Sequence, residues 1–297
     1  MGIFVSALLA GVSSGVPLFL IASGLTLIFG VMGILNFAHG AFFLVGAFVA
    51  LTIYSQLPPG GWSFGVAVLA SGAVVAVLAS VCHMAVFRRL LRREEIVGLL
   101  GSFALLLVLV GLSEYVWGVN PRTLTMPPVL DRQFRLGSVA ISAYDILLLA
   151  VGLVVALGLW YMLRGTELGR RARAVAHDRL MASALGVRSD VVTNVVVALG
   201  GFLAGLAGGL VAPSVSIDVG LALSFIVASF AIVLIGGGGL VGGALLAALV
   251  LGIADSIAVT YVPSLYGYAQ YAVIAAMLLA RALIRPLRAQ TEREQVA

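Results

Sequence analysis

Lysine is absent from this 297-residue chain: all 17 of its basic residues are arginine. That absence excludes a Walker A loop, whose lysine reaches the β- and γ-phosphates, so the glycine run at 236–239 is not one. A lysine Schiff base of the retinal or pyridoxal kind is excluded with it. Charge of either sign is scarce, at 10% of residues where a soluble globule carries about 25%. The single cysteine, Cys82, permits neither an intrachain disulfide nor a CxxC metal site, and three widely separated histidines offer no HExxH zinc pattern. No nucleophile stands in register with a base, so the sequence points to no catalytic residue and no metal site.

What fills the chain is apolar: 62% of residues are hydrophobic. Runs long enough to cross a hydrocarbon core of about 30 Å fall at 3–31, 38–57, 64–87, 95–117, 144–163, 191–212, 221–235, 240–259 and 268–282. The expected fold is an all-α polytopic membrane protein, a bundle of about nine transmembrane helices (eight to ten, since the first and seventh could be broken or re-entrant). Nearly all the length is spent on spans, so residues 1–297 read as one transmembrane domain. The first run lacks a basic leader and is too long for a cleaved signal, which predicts a retained span.

Fourteen of the 17 arginines sit in three segments: the turn 88–93, the insert 164–190 and the tail 281–293. The positive-inside rule places all three, and the C-terminus, in the cytoplasm. The opposite face then carries one extended loop, 118–143, with Pro121, Pro127 and Pro128 behind an interfacial Tyr115 and Trp117. Such a loop is either a rest for an outside partner or a plain connector.

The insert 164–190 is built as more than a connector. Asp178 is placed to cap a helix running over 179–185, and Gly186 to take its left-handed C′ position. Leu180, Met181, Ala184 and Leu185 then share an apolar patch at helical spacing, flanked by Arg170, Arg171, Arg173 and Arg179. A patch held in the cytoplasm by arginines invites another protein to cover it.

Two glycine-rich interruptions, FGVMGILNFAHG at 29–40 and IGGGGLVGG at 235–243, each follow one apolar helix and precede another. In the first, Asn36 can cap the next helix and His39 follows one turn on. Paired interruptions of this kind either line a conduit, with Gly33, Asn36, His39, Gly237 and Gly238 on the path, or close two tight helical hairpins. Gly201, Gly205 and Gly209 form two consecutive GxxxG units that let a neighbouring helix approach. Asp255 is the acid deepest in an expected span, which makes it a further path candidate unless it is simply wetted at the outer end. His83 and Glu114 fall near span ends and read as interfacial.

At these residues the chain resembles the LivH-type permease subunits of branched-chain amino-acid ABC importers. The resemblance is carried by GLTLIFGVMGILNFAHGAFFLVGAF, by GRRARAVAHDRLMASALGV and by LIGGGGLVGGALLAALVLGIADS, and extends over nearly the whole chain. It implies an assembly of this subunit with a sister permease, two cytoplasmic ATPases and a periplasmic solute-binding protein. In such an assembly ATP and magnesium are bound by the ATPases, the permease holds no cofactor, and residues 170–186 seat an ATPase. It further implies a bacterial cytoplasmic (inner) membrane location, lipid surroundings and no nucleic-acid partner. Members of the family handle hydrophobic amino acids, urea or short amides, and the sequence does not separate these. The alternative is a stand-alone ion-coupled transporter or channel, for which only Asp255 and His39 are available as intramembrane ionisable groups.

Overall fold

The computed structural model describes residues 2–90, 94–136, 139–237, 239, 241–265 and 268–279. The chain is helical almost throughout because a backbone in lipid must satisfy its own N–H and C=O groups. Seven helices among the described residues are long and apolar enough to span a membrane: α1 (Gly2–Met32), α2 (Ala38–Ser55), α3 (Gly61–Cys82) with its continuation, α5 (Glu95–Trp117), α6 (Ala143–Gly165), α9 (Ser189–Val211) and α11 (Val241–Tyr261). Two shorter apolar helices complete the set, α10 (Gly220–Gly236) and α12 (Ala269–Leu279). These nine occupy the nine expected runs. The first is continuous across Pro17 rather than broken.

Three departures from the sequence reading are local. After Cys82 the third span passes through a π-helical turn, His83–Phe87, into the short α4 (Arg88–Leu90). A π turn carries more residues per turn than an α turn and so rotates the face presented to the bundle. His83 is buried in the protein at this end of the span, near the charged side chains of Arg88, Arg179 and Asp190. The insert contains a second helix, α7 (Glu167–His177), ahead of the expected one, α8 (Arg179–Ala184). The loop 118–143 ends in a hairpin pairing β1 (Gln133–Leu136) with β2 (Val139–Ser142), antiparallel, with Gln133 opposite Ser142.

The bundle is organised around α9, which packs on α1, α2 and α3, while α11 lies along α1. In lipid no solvent drives helices together, so packing depends on how closely backbones approach. The glycines of α9 supply that approach. A Cβ placed on Gly205 would lie 2.8 Å from both the Ser71 carbonyl oxygen and the Val75 Cβ, and one on Gly209 would lie 2.8 Å from the Ser71 hydroxyl. Gly201 faces the Val75 carbonyl in the same seam, at 3.0 Å from such a Cβ. The Ser71 hydroxyl, 2.8 Å from the Val68 carbonyl of its own helix and 3.0 Å from the Gly205 carbonyl, shares its one proton across the contact. Most other buried hydroxyls of the spans bond back along their own helix, as Thr26 does to the Ala22 carbonyl and Thr193 to that of Ser189.

The two ends of the bundle differ. One carries the 164–190 arm, the turn 33–37, and Gly237 and Gly239. At the other, Trp117 stacks on Phe48 with centroids 5.1 Å apart and donates its indole N–H to Thr52 Oγ1 at 2.8 Å. There Arg122 and Ile217 exchange backbone hydrogen bonds of 3.0 and 2.7 Å, tying the long loop to the α9–α10 connection.

Candidate translocation cavity and coupling arm

The arm is a chain of capped helices. Thr166 accepts the Gly169 N–H at 3.2 Å to open α7, whose Ala172 and Val175 are buried while Arg170, Arg171 and Arg173 are exposed. Arg171 pairs with Glu167 one turn back. Asp178 then accepts the Met181 N–H at 2.9 Å and starts α8. Gly186, at φ +86, donates its N–H to the Ser183 carbonyl, and Val187 donates to that of Ala182, both at 3.0 Å. These two bonds make the Schellman closure that glycine at C′ permits. One face of α8, at Ala182, is buried; the other leaves Leu180 85%, Met181 58% and Leu185 78% exposed, with Ala184 exposed beside them. The arm therefore presents bare apolar side chains on a rigidly terminated helix.

A shared carboxylate fastens the arm to the bundle. Asp190 at the start of α9 accepts from Arg179 of α8 at 2.6 Å and from Arg88 of α4 at 3.0 Å. An exposed pair alone contributes little, but one acid holding two helices in register makes a three-way joint. Ser183 and Ser189 add a hydroxyl contact of 2.7 Å beside it. Removing the cap with Asp178→Ala is expected to destabilise α8 by about 1 kcal/mol. The check is hydrogen exchange: the Met181 amide should exchange several-fold faster while amides of α9 stay protected.

The two glycine interruptions lie at this same end and meet. Gly33 (φ +73), Gly237 (φ +87) and Gly239 (φ +89) adopt left-handed backbone that side chains rarely tolerate. Gly30, one turn before the first break, faces Gly239 closely enough that a Cβ on it would lie 3.5 Å from the Gly239 Cα. Gly238 lies outside the described residues. Asn36 is buried and its Oδ1 accepts the Ala38 N–H at 3.0 Å, opening α2, while Ser102 of α5 receives the Phe37 N–H at 3.1 Å. His39 is fully buried, with Nε2 2.9 Å from the Ile21 carbonyl of α1. His39 and the Phe37 N–H thus join the start of α2 to α1 and α5, while the buried Asn36 Nδ2 and His39 Nδ1 have no hydrogen-bond partner among the described residues. Gly33 borders a small cavity of about 220 Å³ with Met32, Glu94 and Glu95.

Asp255 lies elsewhere. It lines a cavity of about 600 Å³ at the end opposite the arm, between α1, α6, α9, α10, α11 and α12. Its apolar lining includes Leu18, Leu148, Val215, Phe225, Leu251 and Val259; its polar lining includes Ser13, Ser14, Asp145, Ser256, Thr260 and Gln270. The structure therefore separates the six path candidates: those of the glycine breaks that are described sit at the arm end, and Asp255 alone of the six borders the larger cavity. Sequence reasoning missed the hydroxyls of this cavity. Their signal was present in the spacing of Ser256 and Thr260, one turn apart on the helix that carries Asp255.

The chain matches, over residues 7–282, the model of a family described as branched-chain amino acid transport system / permease component. It is 26% identical over 283 residues to the high-affinity branched-chain amino acid transport system permease protein LivH of Escherichia coli K12, covering 89% of this chain and 88% of that one. It is 27% identical over 266 residues to the permease protein BraD of Pseudomonas aeruginosa, covering 85% of each. A probable branched-chain amino acid transport permease protein LivH from Methanocaldococcus jannaschii is 27% identical over 263 residues, 84% of this chain and 79% of its own.

Proposed function

Because this chain belongs to the family of branched-chain amino acid transport system permease components, we propose that it is the membrane subunit of an ATP-binding-cassette importer that carries branched-chain or related small amino acids inward. In this reading it pairs with a sister permease in a bacterial cytoplasmic membrane, receives solute from an extracytoplasmic binding protein and is driven by ATP hydrolysed on two partner subunits. The observation that carries the coupling role is the arm: a helix closed at both ends, anchored through Asp190, with Leu180, Met181 and Leu185 left bare. A surface segment that serves only as a connector needs neither the caps nor the exposed leucines. A stiff helix is what a coupling element requires, since motion of an ATPase reaches the spans only through something that does not fray.

Gating in this reading alternates access between the 600 Å³ cavity opposite the arm and the arm end, where the glycine hairpins close the bundle. The first test is sidedness. With Cys82 replaced by Ser, a cysteine at Ser183 is expected to react with impermeant maleimide only from the cytoplasmic side of oriented vesicles. Reaction from outside would invert the topology and remove the coupling role. The second test is uptake: proteoliposomes holding the whole importer should accumulate a radiolabelled aliphatic amino acid when its binding protein and internal ATP are both supplied, and not when either is withheld.

A further inference from the structure

The cavity opposite the arm differs from a general polar vestibule in the direction of its hydrogen bonds. Its hydroxyls have already donated. Ser13 donates to the Leu9 carbonyl at 3.1 Å, Ser14 to that of Ala10 at 2.9 Å, Ser256 to that of Ala7 at 2.8 Å and Thr260 to that of Ser256 at 2.7 Å. The Tyr144 hydroxyl is likewise given to the Leu210 carbonyl. A hydroxyl has one proton and two lone pairs, so each of these groups now faces a ligand as an acceptor. The Ser214 hydroxyl is engaged with Tyr144, and among the described lining residues only the Gln270 amide offers side-chain N–H donors, with no arginine, lysine or histidine.

Two carboxylates share this space, and they are not equivalent. Asp145 is committed locally: it accepts the Ser142 N–H at 3.3 Å, and Ser142 in return receives the Tyr144 N–H at 3.1 Å, the reciprocal pair that opens α6. Asp255 makes neither an ion pair nor a hydrogen bond among the described residues, although it is half-buried in a membrane helix. An acid in that setting is costly without a cation to meet it. Leu18, Leu148 and Phe225 supply apolar lining in the same cavity.

From this arrangement we propose that Asp255 binds the ammonium group of the transported solute, with the apolar lining residues receiving its aliphatic part. The proposal rests on the importer reading for the identity of the solute, but its electrostatic half stands on the cavity alone. An ammonium brings three donors to a site made of acceptors; among the described lining residues a carboxylate finds only the Gln270 amide to donate to it. The permease therefore selects for the amino group, independently of whatever choice a binding protein makes. An aliphatic acid that lacks the ammonium is a poor passenger even when its hydrocarbon part fits.

Two measurements test this. In proteoliposomes of the complete importer, Asp255→Asn is expected to lower leucine uptake roughly tenfold, the order of a charge-assisted bond lost. Hydrolysis stimulated by the binding protein should persist, and Asp255→Glu should recover most of the uptake. Wild-type uptake by Asp255→Asn overturns the proposal. If the unsubstituted importer moves no leucine, the importer reading fails instead, and the second measurement still reads the site. For that, cysteines are placed singly at Val259, which lines the cavity, and at Tyr268, 73% exposed on the same face, with Cys82 replaced by Ser. The ratio of reaction rates with cationic and anionic methanethiosulfonates is expected to be about tenfold higher at 259, from the Coulomb field of a nearby carboxylate in a low-dielectric setting. Equal ratios at the two positions overturn the proposal without any variant of Asp255 being made.

Discussion

In the proposed importer, replacing Leu185 by Asp is expected to strip the ATPase subunits from the permease while leaving the permease itself folded. The side chain is 78% exposed in the isolated chain, so the substitution removes almost no internal packing. Its cost falls wholly on association, where a carboxylate must be buried without a partner. Such a loss is on the order of 2–5 kcal/mol, a weakening of roughly 30-fold to several thousand-fold in Kd. Co-purification of the ATPases through a tag on the permease should fall to background, and uptake with it. Leu185→Ala, which deletes contact area but adds no charge, should retain part of both. Permease carrying Leu185→Asp that still recovers ATPase at the unsubstituted level would leave the arm as a positively charged connector and remove it from the mechanism.

Gly205→Leu is expected to have the opposite character: loss of the bundle with no specific effect on the arm. The position lies at the middle of the α3–α9 seam, where even a Cβ would approach the Ser71 carbonyl and the Val75 side chain to 2.8 Å. Neither neighbour is the flexible end of a long side chain, so the helices must separate. Overpacking in a rigid core costs about 1–3 kcal/mol, and here the backbone shift also breaks the Ser71–Gly205 hydrogen bond. The expected result is a steep fall in monodisperse permease recovered in detergent and a lower midpoint in a thermal-aggregation assay. Gly158→Leu is the control, because a Cβ there meets nothing within 4 Å. Equal yields for the two variants would mean that the seam does not hold the bundle together. The contrast between Leu185 and Gly205 separates a surface that waits for a partner from one already used inside the chain.

The arm was readable from the sequence because its signals are short in range. A cap bonds to a residue three positions on, and a left-handed glycine closes the turn that precedes it, so Asp178, Gly186 and the exposed patch between them follow from local chemistry. Helix α7 escaped because its apolar face is narrow: only Gly169, Ala172 and Val175 are buried, in a helix with five polar or charged residues. The nine apolar segments were equally legible, since the thickness of a bilayer sets a length that no tertiary contact alters. The GxxxG units announced a contact face, but not which helix would fill it.

The glycine interruptions show where local reading stops. Their left-handed backbone marks a chain reversal from sequence alone, yet a reversal at a helix end and a break along a conduit have the same composition. The fold adds their placement: Gly30 comes against Gly239, His39 Nε2 meets the Ile21 carbonyl, and the 600 Å³ cavity lies at the other end of the bundle. Asp255 was legible as an unusual acid but not as part of a site. Its partners in the cavity come from helices more than a hundred residues away in sequence, including Ser13 and Ser14 of α1 and Asp145 of α6. What the sequence determined by itself was the solvent of the chain, the number of apolar segments and the capped arm, because hydropathy and capping act over a few residues. Tertiary structure alone decided which side chains face one another across the membrane interior, because helix rotation and pairing are set by close packing between segments distant in the chain.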